Sequence, residues 1–375
     1  MSTWRIPFNR PTLLGSEFDY MRAALESGRL SGGGAYSVRA EKILESELGA
    51  ARVLLTPSGT AALEMAALLL ELEPGDEVIV PSFTFVSTAN AFYQFGVRII
   101  FADIRPDTLN IDERQVEQLI TQRTRAVVAV HYAGVGANME ALLSLKLPVI
   151  EDNAHGLFGR LENRPLGCFG AAAATSFHET KSFTCGEGGA LILNRPEWIA
   201  RAEVLREKGT NRNQFFQGQV DKYTWVDRGS SYLLSELSAA FLLAQLERRS
   251  EVQSRRQDLW DRYARELASW ACAHAVRMPH IPANCEQAYH MFYLLLPDAG
   301  ARGRLIAHLA ARGILAVFHY VPLDSSTAGR VAGVAPLGCP VTEDVSGRLV
   351  RLPFFTGLSE EDQTDVIHAV REFSP

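Results

Sequence analysis

With 375 residues, 47% hydrophobic and 21% charged, the chain is long and apolar enough for a sizeable core, and two domains are the natural expectation. A formal net charge of −6 with dispersed Lys and Arg lacks the electrostatic footprint of a nucleic-acid binder. No apolar stretch is long enough for a bilayer span, Met1 to Phe8 carry no signal-peptide core, and five scattered cysteines without a C-x-x-C pair suit a reduced, cytoplasmic protein away from membranes.

The first 35 residues read as an arm with short helices, closed by a flexible Gly32-Gly33-Gly34 loop. A helix follows from about Ser37 to Leu48. From residue 50 to 195 strands and helices alternate. Apolar runs at Arg52–Thr56, Glu77–Pro81, Arg98–Ala102, Ala126–His131, Pro148–Asp152, Ala172–Phe177 and Ala190–Leu193 are the expected strands. Helical runs fill Thr60–Leu72, Ser87–Phe95, Asp112–Ile120 and Asn138–Leu145. Such alternation predicts an α/β domain with a mainly parallel sheet, and strands apolar throughout predict helices on both faces. A helical region, Ser235–Trp270, turns from apolar to highly charged at Glu247, as a helix leaving one domain for another would. Residues 1–245 are therefore expected to form the arm and large domain. Residues 246–375 read as a smaller α+β domain with strand Met291–Leu296, helix Ala301–Arg312, strand Ala316–Tyr320 and closing helix Glu360–Phe373.

Of five lysines, only Lys181 stands between a strand-like run and a glycine-rich segment, Gly186-Glu187-Gly188-Gly189. A lysine so placed can lose its proton and become a nucleophile, which suggests a Schiff base with an aldehyde cofactor. A lysine at a strand end with its amine in water is the ordinary alternative. Thr56-Pro57-Ser58-Gly59-Thr60 joins the first strand to its helix. Free amides at a helix N-terminus, the hydroxyls of Ser58 and Thr60 and the close approach allowed by Gly59 suit a phosphate; a helix cap would use the same residues. Glu151-Asp152-Asn153-Ala154-His155 lies at the carboxyl end of a buried strand, the edge where α/β sheets bind ligands. There Asp152 can hold a pyridinium nitrogen protonated or cap a helix, and His155 can contact a ring or merely pack. Phe85 can cover a flat cofactor or belong to the core.

A phosphate cradle, a strand-end acid and a lysine after a later strand together describe a pyridoxal phosphate site. A nicotinamide enzyme would need G-x-G-x-x-G after its first strand, and Gly134-Val135-Gly136 has Met139 where the third glycine belongs. The nine histidines show no metal-ligand spacing, so no metal is expected.

Six stretches resemble the DegT/DnrJ/EryC1/StrS family of sugar aminotransferases: Pro57–Ala61, Pro74–Val78, His131–Gly134, Glu151–His155, Ser176–Lys181 and Glu187–Gly189. The resemblance implies the fold-type I aminotransferase architecture, pyridoxal 5'-phosphate as cofactor and homodimers with shared active sites. By it, Lys181 attaches the cofactor and later moves protons. Asp152 pairs with the pyridinium nitrogen, Phe85 covers the ring and His155 lies on its hydroxyl side. Ser58, Gly59, Thr60 and Ser176 hold the phosphate. The Gly229-Ser230-Ser231-Tyr232 loop serves the neighbouring subunit, and Ser231, His319 and Tyr320 are expected at the substrate.

Within the family the likeness runs end to end with members that use L-glutamate to aminate C4 of dTDP-4-keto-6-deoxy-D-glucose, giving the galacto product. Its traces are Ile6–Asn9, Gln214–Phe216, Gly218–Trp225 and Ala316–Tyr320. The gluco epimer, amination at C3 of a 3-keto sugar nucleotide, and a silent nucleotide-sugar-binding or regulatory member stay open. A dehydrating subgroup has histidine in place of the lysine, so Lys181 argues against it. The chain departs from the family in having Ser231 and Leu233 where many members carry Asn and Arg. Asn153 replaces a usual small residue, and Asp324 a frequent histidine.

Overall fold

The computed structural model describes residues 4–216 and 218–375; Met1–Thr3 lie outside the described residues. Five short apolar runs form the strands β1 (Arg52–Thr56), β2 (Glu77–Pro81), β3 (Arg98–Ala102), β4 (Thr124–Val130) and β5 (Val149–Asp152). After the two-residue strands β6 (Arg160–Leu161) and β7 (Arg164–Pro165) come β8 (Ala172–Ser176) and β9 (Gly189–Leu193). The later strands are β10 (Cys285–Glu286), β11 (Tyr293–Leu295), β12 (Gly333–Val334) and β13 (Leu349–Arg351). Eight of them make one sheet in the order β1-β9-β8-β5-β4-β2-β3-β12. Every pairing in it is parallel except those of β9, which runs against β1 and β8.

Both faces of this sheet are buried because alternate residues of each strand enter different apolar clusters. Val78 and Val80 join Leu54, Ile99 and the helix Gly59–Leu69, whereas Ile79 between them packs with Ile100, Val127 and Val149. Ser58 starts that helix by accepting the Ala61 amide at 3.0 Å. A further cluster unites Val53, Leu55 and Ile192 with the helices Ala35–Leu48 and Glu236–Glu247. The C-terminal core gathers Tyr263 and Leu267 with Leu294, Val350, Leu305 and Val366, and Ile6 of the arm completes it. Among the described residues no helix is long and apolar enough to cross a membrane.

Three expectations are corrected. The region 235–270 is two helices, Glu236–Glu247 and Arg249–Ala273, broken at Arg248 (ψ 22°). Arg248 leaves helical geometry while its side chain reaches the Leu14 carbonyl and Glu251. Ala316–Tyr320 is no strand: Val317 makes one isolated bridge to Arg351, after which the chain turns His319 inward against Tyr132. Gly32 and Gly34 are close-packed rather than loose, for a Cβ on Gly32 would fall 2.2 Å from the Leu234 carbonyl oxygen, and the Gly34 amide donates to Glu236 at 3.0 Å. The other expected elements are present to within a few residues at their ends, while β6, β7, β10, β12, β13 and the helices Ile199–Arg206, Arg212–Phe216, Gly329–Ala332 and Pro340–Arg348 were not anticipated.

Candidate active site

The carboxyl ends of β1, β2, β4, β5 and β8 converge on one edge of the sheet, and the connections after them carry the polar side chains. After β1 come Ser58 and Thr60. The Thr60 hydroxyl lies 2.7 Å from that of Ser87, which follows β2. Gly59 is pressed against β8: a Cβ there would stand 3.0 Å from the Ser176 Cβ. Gly189, at the start of β9, is tighter still, since its Cβ would lie 2.4 Å from the Gly59 nitrogen and the Ser58 carbonyl oxygen. These glycines let β1, β8 and β9 close around the free amides at the start of the helix Gly59–Leu69.

Asp152 ends β5. One of its oxygens accepts the Thr88 hydroxyl at 2.7 Å, and the other accepts the Ala154 amide at 3.2 Å. Three buried histidines lie beyond it. The rings of His155 and His290 are stacked at 4.2 Å and 14°, with His319 6.0 Å from His155. Burial, reinforced by nearby cations, pushes all three well below the usual imidazole range, so they are neutral at pH 7. His319 Nδ1 lies 3.1 Å from the Tyr132 hydroxyl, while His155 Nδ1 is buried with no partner.

Lys181 follows β8. Burial lowers its pKa to about 8; the Asp152 carboxylate opposes the shift and Arg351 adds to it. A substantial fraction is therefore neutral amine near pH 7.5, against almost none for an ordinary lysine. Ser182, its neighbour, places a hydroxyl 3.4 Å from His290 Nδ1.

The structure thus brings Ser58, Gly59, Thr60, Asp152, His155, Ser176 and Lys181 to one edge, with His319 and Tyr320 beside them. Phe85 caps the start of the helix Val86–Tyr93, is more than half exposed, and tilts toward Tyr320 at 6.4 Å. Ser231 stands apart, exposed, with its backbone bridged to Glu207. Asn153 turns away from the edge and donates to the Leu166 carbonyl at 3.0 Å. Asp324 accepts the Ser82 hydroxyl at 2.5 Å, tying its loop to the end of β2.

Several members of the site are absent from the sequence reading. Thr88 sits one turn into a helix, and its only signal was the polar run after β2. His290, Arg256 and Arg351 come from the C-terminal third and carry no motif. Arg256 donates to the carbonyls of Tyr289 (2.9 Å) and His290 (2.6 Å), which holds His290 against His155.

An aromatic aldehyde bearing a phosphate and a ring nitrogen fits these donors. The orphaned His155 Nδ1 offers a polar atom on one side, the helix start and the Thr60 hydroxyl offer anion-binding groups on another, and Asp152 supplies a carboxylate.

Comparison with known proteins agrees. The model of the DegT/DnrJ/EryC1/StrS aminotransferase family matches residues 12–371. The spore coat polysaccharide biosynthesis protein SpsC of Bacillus subtilis is 31% identical over 379 residues, covering 98% of this chain and 96% of its own. Among solved structures, the aminotransferase TlmJ from Streptoalloteichus hindustanus superposes with a TM-score of 0.89 at 29% identity, covering 98% of both chains. The PLP-form of Spr1654 from Streptococcus pneumoniae gives 0.90 at 26% identity, again over 98% of both. With fold, site and family in agreement, the chain belongs to the DegT/DnrJ/EryC1/StrS family and is a pyridoxal-phosphate-dependent aminotransferase of fold type I.

Proposed function

We propose that the enzyme transfers the amino group of L-glutamate to C4 of dTDP-4-keto-6-deoxy-D-glucose, giving dTDP-4-amino-4,6-dideoxy-D-galactose and 2-oxoglutarate. The observation that carries the chemistry is Lys181, half-buried after β8, with a pKa lowered to about 8 by desolvation against the opposing pull of the Asp152 charge. A sugar acceptor is supported by likeness to SpsC, a polysaccharide biosynthesis protein, and the C4 galacto outcome by the end-to-end resemblance of the sequence.

Bound pyridoxal phosphate supplies an electron sink at the carbon that bears the migrating nitrogen. Lys181 takes a proton from that carbon and returns it on the far side of the migrating nitrogen, a 1,3-shift suited to an amine with a pKa near working pH. Asp152, oriented by Thr88, keeps a proton on the ring nitrogen. Ser58, Gly59, Thr60 and Ser176 hold the phosphate, and His155 turns its free Nδ1 to the ring hydroxyl. Phe85 covers the ring, His319 and Tyr320 line the substrate side, and Ser231 serves the site of a second subunit in a homodimer. The same reading divides the chain at about residue 245 into a large cofactor-binding domain and a small one, in a cytoplasmic enzyme.

Visible spectroscopy through both half-reactions tests it. L-Glutamate should bleach the holoenzyme, and dTDP-4-keto-6-deoxy-D-glucose should restore the colour, with NMR showing an axial 4-amino group. An equatorial amine makes the product the gluco epimer. Bleaching without recovery rejects this acceptor in favour of another, such as a 3-keto sugar nucleotide, and no bleaching rejects the donor.

A further inference from the structure

Two buried histidines near the ligand edge are held in different ways. His131 is fixed at both ring nitrogens, by Glu151 at 2.8 Å and by the Ala137 amide at 3.1 Å. The His155 side chain makes no hydrogen bond to any described residue, and its Nδ1 is buried without a partner. The plane of the His155 ring is therefore set by packing. Tyr132 meets it edge to face at 5.9 Å, and His319 lies 6.0 Å away. Among the described residues only the His290 ring covers a face of it at close stacking distance, 4.2 Å between ring centres and 14° between planes. Burial keeps both rings neutral, so they stack without charge repulsion.

His290 is itself clamped. Tyr289 before it has a φ of 49°, in the left-handed region that a bulky side chain rarely adopts. Arg256, in the helix Arg249–Ala273, spans this bend by donating to the carbonyls of Tyr289 at 2.9 Å and His290 at 2.6 Å, and it is anchored by the Thr356 hydroxyl at 3.3 Å. Just before the bend the Ala288 amide donates to the Gly134 carbonyl at 3.0 Å. A Cβ on Gly134 would meet Ala288 at 3.0 Å and the His155 carbonyl oxygen at 3.1 Å. These contacts fix the backbone that carries His290 against the loop that carries His155. The His290 Nδ1 lies 3.4 Å from the Ser182 hydroxyl, a long contact, so the ring face is its closer engagement.

We infer that His290 is a positioning residue: its ring face fixes the plane of His155 and, through it, the seat of the cofactor ring. An imidazole nitrogen makes its hydrogen bond in the plane of its ring, so whatever sets the plane sets the bond. The inference rests on the proposed contact between His155 and the cofactor.

A double-mutant cycle tests it. His290→Leu keeps the bulk and loses the flat ring, His290→Phe keeps a flat ring and loses both nitrogens, and His155→Ala removes the residue acted upon. In His290→Leu the visible circular dichroism of the bound cofactor, which reports its orientation, should fall at least about twofold, and turnover about tenfold. His290→Phe should restore most of both. In the His155→Ala background, His290→Leu should add less than about twofold to either loss. Equal losses with and without His155 overturn the inference, as do unchanged dichroism and turnover in His290→Leu. So does a phenylalanine variant no better than the leucine one, which assigns His290 to Ser182 instead. His290→Met replaces the leucine variant should that not fold. Should His155→Ala alone leave dichroism and turnover unchanged, the proposed role of His155 fails separately. Nitrogen NMR of the imidazole rings in the cofactor-free protein then decides for His290. A second or exchange-broadened set of His155 signals in His290→Leu, absent in wild type and in His290→Phe, supports positioning; a single sharp set throughout overturns it.

Discussion

Glu151 and Asp152 are consecutive in β5, yet their carboxylates serve opposite faces of the sheet. Asp152 accepts the Thr88 hydroxyl at 2.7 Å at the ligand edge. Glu151 is fully buried behind it, accepting from His131 Nε2 at 2.8 Å and from the amides of Gly167, Phe169 and Gly170 at 2.6–2.8 Å. His131 Nδ1 accepts the Ala137 amide, which fixes the proton on Nε2. One strand end thus carries an acid turned to the ligand edge and an acid that fastens the loop after β7.

Glu151→Ala removes a partner from four buried donors at once. It should lower unfolding free energy by about 3–5 kcal/mol. Denaturant midpoints of variant and wild type check this, and a loss below about 1 kcal/mol would mean that water satisfies the four donors equally well.

Thr88 is a positioning residue, since it acts through Asp152. Thr88→Val keeps its shape and removes the hydroxyl, so turnover should fall about tenfold while bound cofactor remains. Thr88→Ser should restore most of the rate. A serine variant as slow as the valine one would point to packing by the Thr88 methyl instead.

In the proposed role of Lys181, only its neutral amine can bond to the cofactor aldehyde. Because burial lowers its pKa to about 8, the fraction of free amine rises as pH increases through that value and is nearly complete above it. The rate of cofactor uptake by the cofactor-free protein should follow this curve and level off above about pH 9. A rate still climbing toward the range of an ordinary lysine would show that the amine is hydrated. Lys181→Ala should fold and hold cofactor without the covalent bond, while turnover drops at least about a hundredfold.

Gly189→Ala places a methyl group against backbone atoms of Ser58 and Gly59 at 2.4 Å, and neither can move without opening the phosphate cradle. Overpacking of this kind costs about 1–3 kcal/mol, so cofactor dissociation, read by fluorescence, should rise about tenfold. An unchanged dissociation constant would separate this glycine from the cradle.

Much of the fold was legible because its signals are local. The strand runs from Arg52 to Leu193 alternate with helical spacing, and β1, β2 and β3 have the limits that the apolar pattern predicts. The convergence of the proposed cofactor residues was legible for the same reason: Ser58–Thr60, Asp152–His155 and Ser176–Lys181 each lie at or just after a strand end, where an α/β sheet exposes its ligand edge. The break at Arg248 was not legible, because it depends on Leu14, far away in the chain. Nor was the loss of the strand Ala316–Tyr320, where the inward turn of His319 to Tyr132 overrides an apolar pattern.

The sequence by itself determined the α/β class and the aldehyde cofactor, because each is written in residues a few positions apart. Only the tertiary structure decided that Thr88 orients Asp152 and that Arg256 sets His290 on His155. Those relations join segments from different elements, and such pairings are fixed by how buried surfaces pack, which no short stretch of chain encodes.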